Sequence, residues 1–392
     1  MPMKFFRFIV FLILTFLVSI QCGNLNALYS KEFKNNTTPL YNKCEENKSL
    51  PRDDEYNNKI THIQNSLDNI VKKYRLNGNI LISVHNNVVY EKTQGFANFK
   101  TKDSLNINTS FQLASTSKTF TAMSVMILKE KGLLKYDDLV VKYIKDFPYN
   151  TITIRHLLTH TSGLSNYIWN VEKYLPSKKS VTNDVVLDLY KKKRFNLIFK
   201  PGSRFDYCNT NYCFLALLVE KVSGTAFSNF LEKNIFVPLN MKNTFTYDKI
   251  KPNDNRDRAL GYTKYRRGGY VPYGEDVVDR VLGDKGIFST VEDLYKWDQA
   301  LYSNRLVSFY TLNEAFEKGT LSNNNHFNYG YGFRLREVND KKIVYHNGWW
   351  KGFKSGFTRL IEDQCTIIIL NNTNAKLGVM IVEIEKLLQN SF

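Results

Sequence analysis

Much is scarce or absent in this 392-residue chain. Its five cysteines, Cys22, Cys44, Cys208, Cys213 and Cys365, are scattered, odd in number and free of any Cys-x-x-Cys spacing. Neither a disulfide framework nor a structural zinc site is implied, and Cys208 and Cys213 read as small buried thiols. No Gly-x-Ser-x-Gly elbow occurs, which argues against serine catalysis of the α/β-hydrolase kind. His156 and His160 stand four apart, but Leu157 holds the place of the glutamate a zinc-binding helix needs and no third ligand is evident. No metal and no other cofactor is expected. Acidic residues are few, 37 against 54 Lys and Arg, for a net charge of +17. Such a field favours anionic partners, yet no arginine cluster, zinc-finger spacing or aromatic RNP-like run accompanies it, so no nucleic-acid partner is expected. There is no internal repeat. A 43% hydrophobic content with 14% aromatic residues excludes general disorder.

Only one long apolar run is present. Lys4 and Arg7 precede Phe8 to Ile20, interrupted by Thr15 and Ser19, the pattern of a secretory signal over residues 1–22. No second such run follows, which excludes a multi-pass membrane protein. Cys22 stands one residue beyond the run, after Gln21, and resembles the cysteine on which a bacterial lipoprotein carries its lipid. Export to the periplasm or cell envelope, with membrane attachment through Cys22, is the matching expectation. Residues 23–58 are polar and aperiodic and read as a flexible tether, leaving 59–392 as the folded domain.

Within that domain, Ile60, Ile63, Leu67, Ile70, Val71 and Tyr74 recur at helical spacing. Ile80, Ile82 and Val84, a turn at Asn86-Asn87, and Val88 to Lys92 predict a hairpin. Helices are expected over Thr116 to Lys131, stopped by Gly132, and over Leu139 to Phe147, stopped by Pro148. The long middle region reads as mainly helical. Strands return at Ile343 to His346, Gly356 to Ile361 and Thr366 to Leu370, ahead of an apolar helix from Leu377 to Leu388. The expected class is α+β: one antiparallel sheet flanked by the N- and C-terminal helices, with an all-helical subdomain inserted.

Three short motifs carry chemistry. Ser115-Thr116-Ser117-Lys118 is the sole Ser-x-x-Lys and opens an apolar helix. A first-turn serine has free backbone N–H groups beside it, and a lysine one turn later shares its face. Nucleophile, cation and amide donors together suit acyl transfer; by itself the tetrapeptide equally suits a capped helix with a solvated lysine. Tyr207-Cys208-Asn209 follows the Pro201-Gly202 turn and precedes the apolar run Tyr212 to Val222. Tyr56 and Tyr302 begin the same pattern, so context selects Tyr207, on a loop pinned against a helix start. A nearby cation favours its phenolate, and Lys118 would supply that charge. The plainer reading is a packed ring with a hydrogen-bonded hydroxyl. His346-Asn347-Gly348-Trp349 lies on a late strand. Gly348 lets a substrate backbone lie close, the Trp349 N–H can face a reacting carbonyl, and His346 can donate to Tyr207 or to an anionic group.

In this order the motifs resemble the serine β-lactamase and penicillin-binding protein superfamily. Ile154 to Leu164 (IRHLLTHTSGL), Pro238-Leu239-Asn240-Met241 and Gly286 to Thr290 fit its branch of class C β-lactamases, esterases and D-Ala-D-Ala carboxypeptidases. The resemblance runs from about Ile60 to Asn372. It implies that Ser115 is acylated, Lys118 relays its proton, Tyr207 serves as base or shuttle, and Asn209 holds the substrate amide. The N–H groups of Ser115 and Trp349 would form the oxyanion hole. His346 stands where true β-lactamases have the lysine of Lys-Thr-Gly, and Asn347 replaces a hydroxyl that contacts a substrate carboxylate. Strong penicillin hydrolysis and carboxypeptidase specificity are both weakened as expectations. The function implied is an exported hydrolase of amides or esters acting on small molecules or short peptides, including cell-wall peptides. The alternative is a penicillin- or peptide-binding sensor with negligible deacylation.

Overall fold

The structure, a computed structural model, describes residues 54–391 apart from 178–179, 252–253 and 266–267. Residues 1–22, Cys22 and most of the stretch read as a tether lie outside the described residues. The first helix, α1 (Asp54–Tyr74), begins inside that stretch, earlier than its apolar periodicity shows, because its opening turns are polar and exposed.

The hairpin is β1 (Gly78–Val84) and β2 (Asn87–Gln94). Its turn falls one residue earlier than expected, with Val84 paired to Asn87 and positive φ at His85 (46°) and Asn86 (59°), the two-residue geometry that matches strand twist. The helices that follow are α2 (Ser117–Glu130), α3 (Ile154–Leu158), α4 (Tyr167–Tyr174), α5 (Asn183–Lys193), α6 (Asn209–Ser223), α7 (Phe227–Leu231), α8 (Val291–Ala300) and α9 (Phe309–Ala315). Late strands β3 (Arg334–Val338), β4 (Lys341–Trp350), β5 (Phe353–Leu360) and β6 (Cys365–Asn371) precede α10 (Leu377–Ser391). The helix expected over Leu139 to Phe147 is only a 3₁₀ turn, Val140–Lys142. The Val140 N–H is drawn across to the Ile152 carbonyl at 2.9 Å, which commits this backbone to a neighbouring segment.

Six strands form an antiparallel sheet in the order β3-β4-β5-β6-β1-β2. The first strand of the described fold pairs with the last, with Ile80 opposite Ile369 and Ile82 opposite Ile367. Since side chains alternate across a sheet, Ile80, Ile82, Ile367 and Ile369 bury under α1 and α10, whereas Leu81, Ile368 and Leu370 join the larger core with α2 and α6. Lys73 and Tyr74 of α1 both bond Glu383 of α10. Among the described residues, short two- and three-residue strands form three further pairs and one three-stranded sheet between the larger elements. No single described helix is long and apolar enough to cross a membrane.

Candidate active site

Ser115 sits in a 3₁₀ turn, Ala114–Thr116, that runs into α2. Ala114 adopts φ +49°, a left-handed conformation alanine reaches at a cost, while its neighbours over Phe111 to Leu128 are buried and Ser115 alone is partly exposed. Strained backbone thus presents one hydroxyl to solvent. The turn is fastened to β4 and β5: the Thr116 hydroxyl lies 3.2 Å from the His346 carbonyl and 2.9 Å from Ser355 Oγ, and Ser355 Oγ donates to the Leu113 carbonyl at 2.6 Å.

Lys118 is fully buried. Its Nζ reaches Ser115 Oγ at 3.2 Å, Asn209 Oδ1 at 2.9 Å and the Asp284 carbonyl at 2.9 Å. The amide and carbonyl oxygens only accept, so they take two N–H bonds. The third tetrahedral position faces the serine, holding either a proton for it or the lone pair that receives its proton. Asn209 is the first residue of α6, whose N-cap is Cys208 and whose C-cap Gly224 has φ +70°. Tyr207 is therefore held on the last loop residues before that helix. Lys118 Nζ lies 5.0 Å from its ring centroid, and Cζ of Arg334, from β3, 4.9 Å. Among the described residues no carboxylate lies within ion-pair distance of Arg334.

His346 is buried, with its ring 6.2 Å from that of Tyr207. Its Nε2 lies 3.2 Å from the Tyr329 hydroxyl and its Nδ1 2.9 Å from the Asn347 carbonyl. Burial, then the charges of Lys118 and Arg334, hold its pKa well below the ordinary histidine value. Gly348 follows on the same face of β4, where a Cβ would lie 2.1 Å from the Leu113 carbonyl oxygen and 3.0 Å from the Ala114 Cβ. Strand alternation puts Asn347 on the opposite face, exposed, with Gly356 and Ile381 beneath it. Trp349 is 69% exposed and borders a cleft of about 560 Å³ with Ile168, Val171, Val277 and Trp350.

Lys285 and Tyr329 belong to this region with no motif to mark them. Lys285 is buried, donates to the Tyr167 hydroxyl at 2.6 Å and lies 3.7 Å from Asp284; burial lowers its pKa. His156, rejected as a metal ligand, caps α3 reciprocally with Thr153. His160 and Tyr329 stand behind His346. Cys208 and Cys213 are free, buried thiols, and burial raises both.

A mixed helix-and-sheet fold that sets a serine one helical turn before a buried lysine, beside a tyrosine loop and a glycine strand, defines a serine hydrolase. The chain belongs to the serine β-lactamase and penicillin-binding protein superfamily: the family model described as Beta-lactamase matches residues 63–388. It is 34% identical over 330 residues to penicillin-binding protein 4* of Bacillus subtilis strain 168, covering 80% of this chain and 72% of the relative. It is 25% identical over 311 residues to a D-aminopeptidase of Brucella anthropi, covering 77% of this chain and 57% of that protein. Among solved structures, a penicillin-binding protein from Bacillus halodurans superposes with a TM-score of 0.70 at 26% identity, covering 82% of this chain and 98% of that one.

Proposed function

We propose that this hydrolase cleaves an amide or ester bond of a small molecule or short peptide through an acyl-enzyme on Ser115. The observation that carries the reading is the three-way placement of Lys118 Nζ among Ser115 Oγ, Asn209 Oδ1 and the Asp284 carbonyl. Ser115 Oγ attacks the carbonyl carbon and forms the C–O bond. Its proton passes to Lys118 and, with Tyr207 as shuttle, to the leaving amine or alkoxide as the scissile bond breaks. Water then attacks the acyl group, gives up its proton along the same route, and restores the Ser115 hydroxyl. The N–H groups of Ser115 and Trp349 receive the oxyanion, and Asn209 orients the substrate amide.

Arg334, half-buried beside Tyr207, supports a substrate that carries an anionic group near the cleaved bond. The apolar cleft at Trp349 suits a hydrophobic substituent on the other side. D-alanyl peptides, D-amino-acid amides and short esters are the classes to compare. Export through residues 1–22 and attachment at Cys22 form part of the proposal, supported by the apolar run and the cysteine after it.

Intact-mass analysis of the chain treated with a fluorophosphonate is expected to show one adduct, on Ser115, absent from Ser115→Ala. A panel of a muropeptide stem with free and amidated C-terminus, a D-amino-acid amide, a short ester and nitrocefin should show turnover beyond one equivalent. Tyr207→Phe should lower kcat by roughly 10²- to 10⁴-fold. A reaction that stops at one equivalent with every substrate would leave a sensor instead.

A further inference from the structure

Behind the reactive groups, four polar contacts line up through a buried part of the molecule. The Cys208 N–H lies 3.1 Å from His160 Nδ1, and His160 Nε2 lies 3.1 Å from the Tyr329 hydroxyl. That hydroxyl lies 3.2 Å from His346 Nε2, and His346 Nδ1 lies 2.9 Å from the Asn347 carbonyl. His160, Tyr329 and His346 are each at most 1% exposed.

The direction of every bond in this chain is fixed by its ends. A backbone N–H only donates, so His160 Nδ1 carries a lone pair, which Asn211 Nδ2 also approaches at 3.1 Å. The Asn211 amide is oriented for this, because its Oδ1 accepts from Ser162 Oγ at 2.5 Å. Neutral His160 therefore bears its proton on Nε2 and donates to Tyr329. At the other end a carbonyl only accepts, so His346 carries its proton on Nδ1 and its Nε2 must accept. The Tyr329 proton supplies that bond, since the Tyr212 hydroxyl beside it spends its own proton on the Leu158 carbonyl at 2.8 Å. Both imidazoles are neutral in this arrangement. Burial first and the cations Lys118 and Arg334 second push them that way, and burial keeps the proton on Tyr329.

We infer that His160 and Tyr329 are positioning residues: with His346 they form a one-directional hydrogen-bond chain that locks the loop carrying Tyr207 and Asn209 to the strand carrying Gly348 and Trp349. His160 holds that loop twice, through the Cys208 N–H and through its own carbonyl, which accepts from the Asp206 N–H at 2.9 Å. It does so from φ +58°, a strained conformation that its packing must maintain. His346 holds the Asn347 carbonyl, which belongs to the peptide joining Asn347 to Gly348. Both His346 nitrogens are thereby occupied, and the ring works on the backbone instead of on the substrate. The spacing of the two reactive walls is set by these buried side chains, and acyl transfer tolerates little error in such spacing.

The kinetic consequence rests on the proposed acyl transfer, whereas the proton placement does not. Two-bond ¹H–¹⁵N correlation spectra of the chain labelled with ¹⁵N-histidine are expected to show His346 as the Nδ1–H tautomer and His160 as the Nε2–H tautomer. Neither should titrate between about pH 5.5 and 8. Tyr329→Phe keeps the ring and removes the link. It should release His346 from its single tautomer and lower kcat roughly 10- to 100-fold with KM little changed. His160→Gln, whose side-chain amide offers both a donor and an acceptor, should retain more activity than His160→Ala. An Nε2–H tautomer at His346, titration of His346 in the wild-type chain, or a Tyr329→Phe variant with unaltered tautomer and kcat would overturn the inference. If the wild-type chain shows the stated tautomers yet forms no adduct with any acylating probe, the chain of bonds stands and the hydrolase reading falls.

Discussion

A glycine that faces the nucleophile turn makes the most exacting demand on any one position. The Cβ of an alanine at Gly348 would lie 2.1 Å from the Leu113 carbonyl oxygen and 2.4 Å from Ser355 Oγ. The nearer atom is backbone and cannot swing aside, so β4 would have to retreat from Ser115. Because bond-making geometry is lost steeply with displacement, Gly348→Ala should lower kcat by about 10²-fold or more in ester hydrolysis, with slower fluorophosphonate labelling of Ser115. Labelling at the wild-type rate would show that β4 does not set the site. Ser115, Lys118, Tyr207, Asn209 and His346 were legible because each has a chemical reason to stand beside the others in a fixed order. His160 and Tyr329 were not. A histidine four residues after another suggested only a metal site to be rejected, and a tyrosine 17 residues before His346 gives no hint that the two rings meet. Strand alternation, not adjacency, decides which face a side chain occupies, and it turns Asn347 away from His346 and Gly348.

Between elements, the sheet is joined to α8 by a charge pair with no access to solvent. Arg359 of β5 donates from Nε to Asp298 Oδ1 at 2.6 Å, both residues are 0% exposed, and the Thr366 hydroxyl of β6 donates to Asp298 Oδ2 at 2.9 Å. Removing one member strands the other charge in a low-dielectric interior, which generally costs about 3–5 kcal/mol. Asp298→Ala should lose that much stability in urea unfolding, and Asp298→Ala with Arg359→Met should recover a large part of it. A single-variant loss below about 1 kcal/mol would mean that the pair does not hold α8 to the sheet. Nothing in the sequence marked this contact, since Asp298 and Arg359 look like surface residues of an amphipathic helix and a strand. The strands that were legible, β1, β2 and β4 to β6, carry apolar or β-branched runs. The edge strand β3, Arg-Leu-Arg-Glu-Val, carries alternating charges and becomes a strand by pairing with Lys341 to Tyr345. The segment after Leu139 erred the other way: its apolar residues fit a helix, but its backbone bonds to Ile152.

Across the whole molecule, the buried histidines tie folding to pH. His160 and His346 have pKa values well below the ordinary one, and His85 and His156 are lowered too, in each case chiefly through burial. An unfolded histidine takes a proton near pH 6.5, whereas these sites refuse it while folded. Below about pH 6.5 the unfolded state therefore binds more protons, and stability falls as pH falls. Each site contributes a slope of up to about 1.4 kcal/mol per pH unit in the window between its folded value and about 6.5. Carboxylates raised by burial, Asp279, Asp298 and Glu385, act in the opposite sense, because the folded state protonates them first. They temper the loss as the pH falls further, so the histidine contribution is read most cleanly in the pH unit just below about 6.5. Urea unfolding across that range should show the wild-type midpoint decreasing with acidity. His160→Gln, which replaces one of the two most deeply buried imidazoles by a group that does not titrate, should show a shallower slope by about one proton, whatever its stability at pH 7. Parallel slopes for the two proteins would mean that His160 is protonated inside the fold.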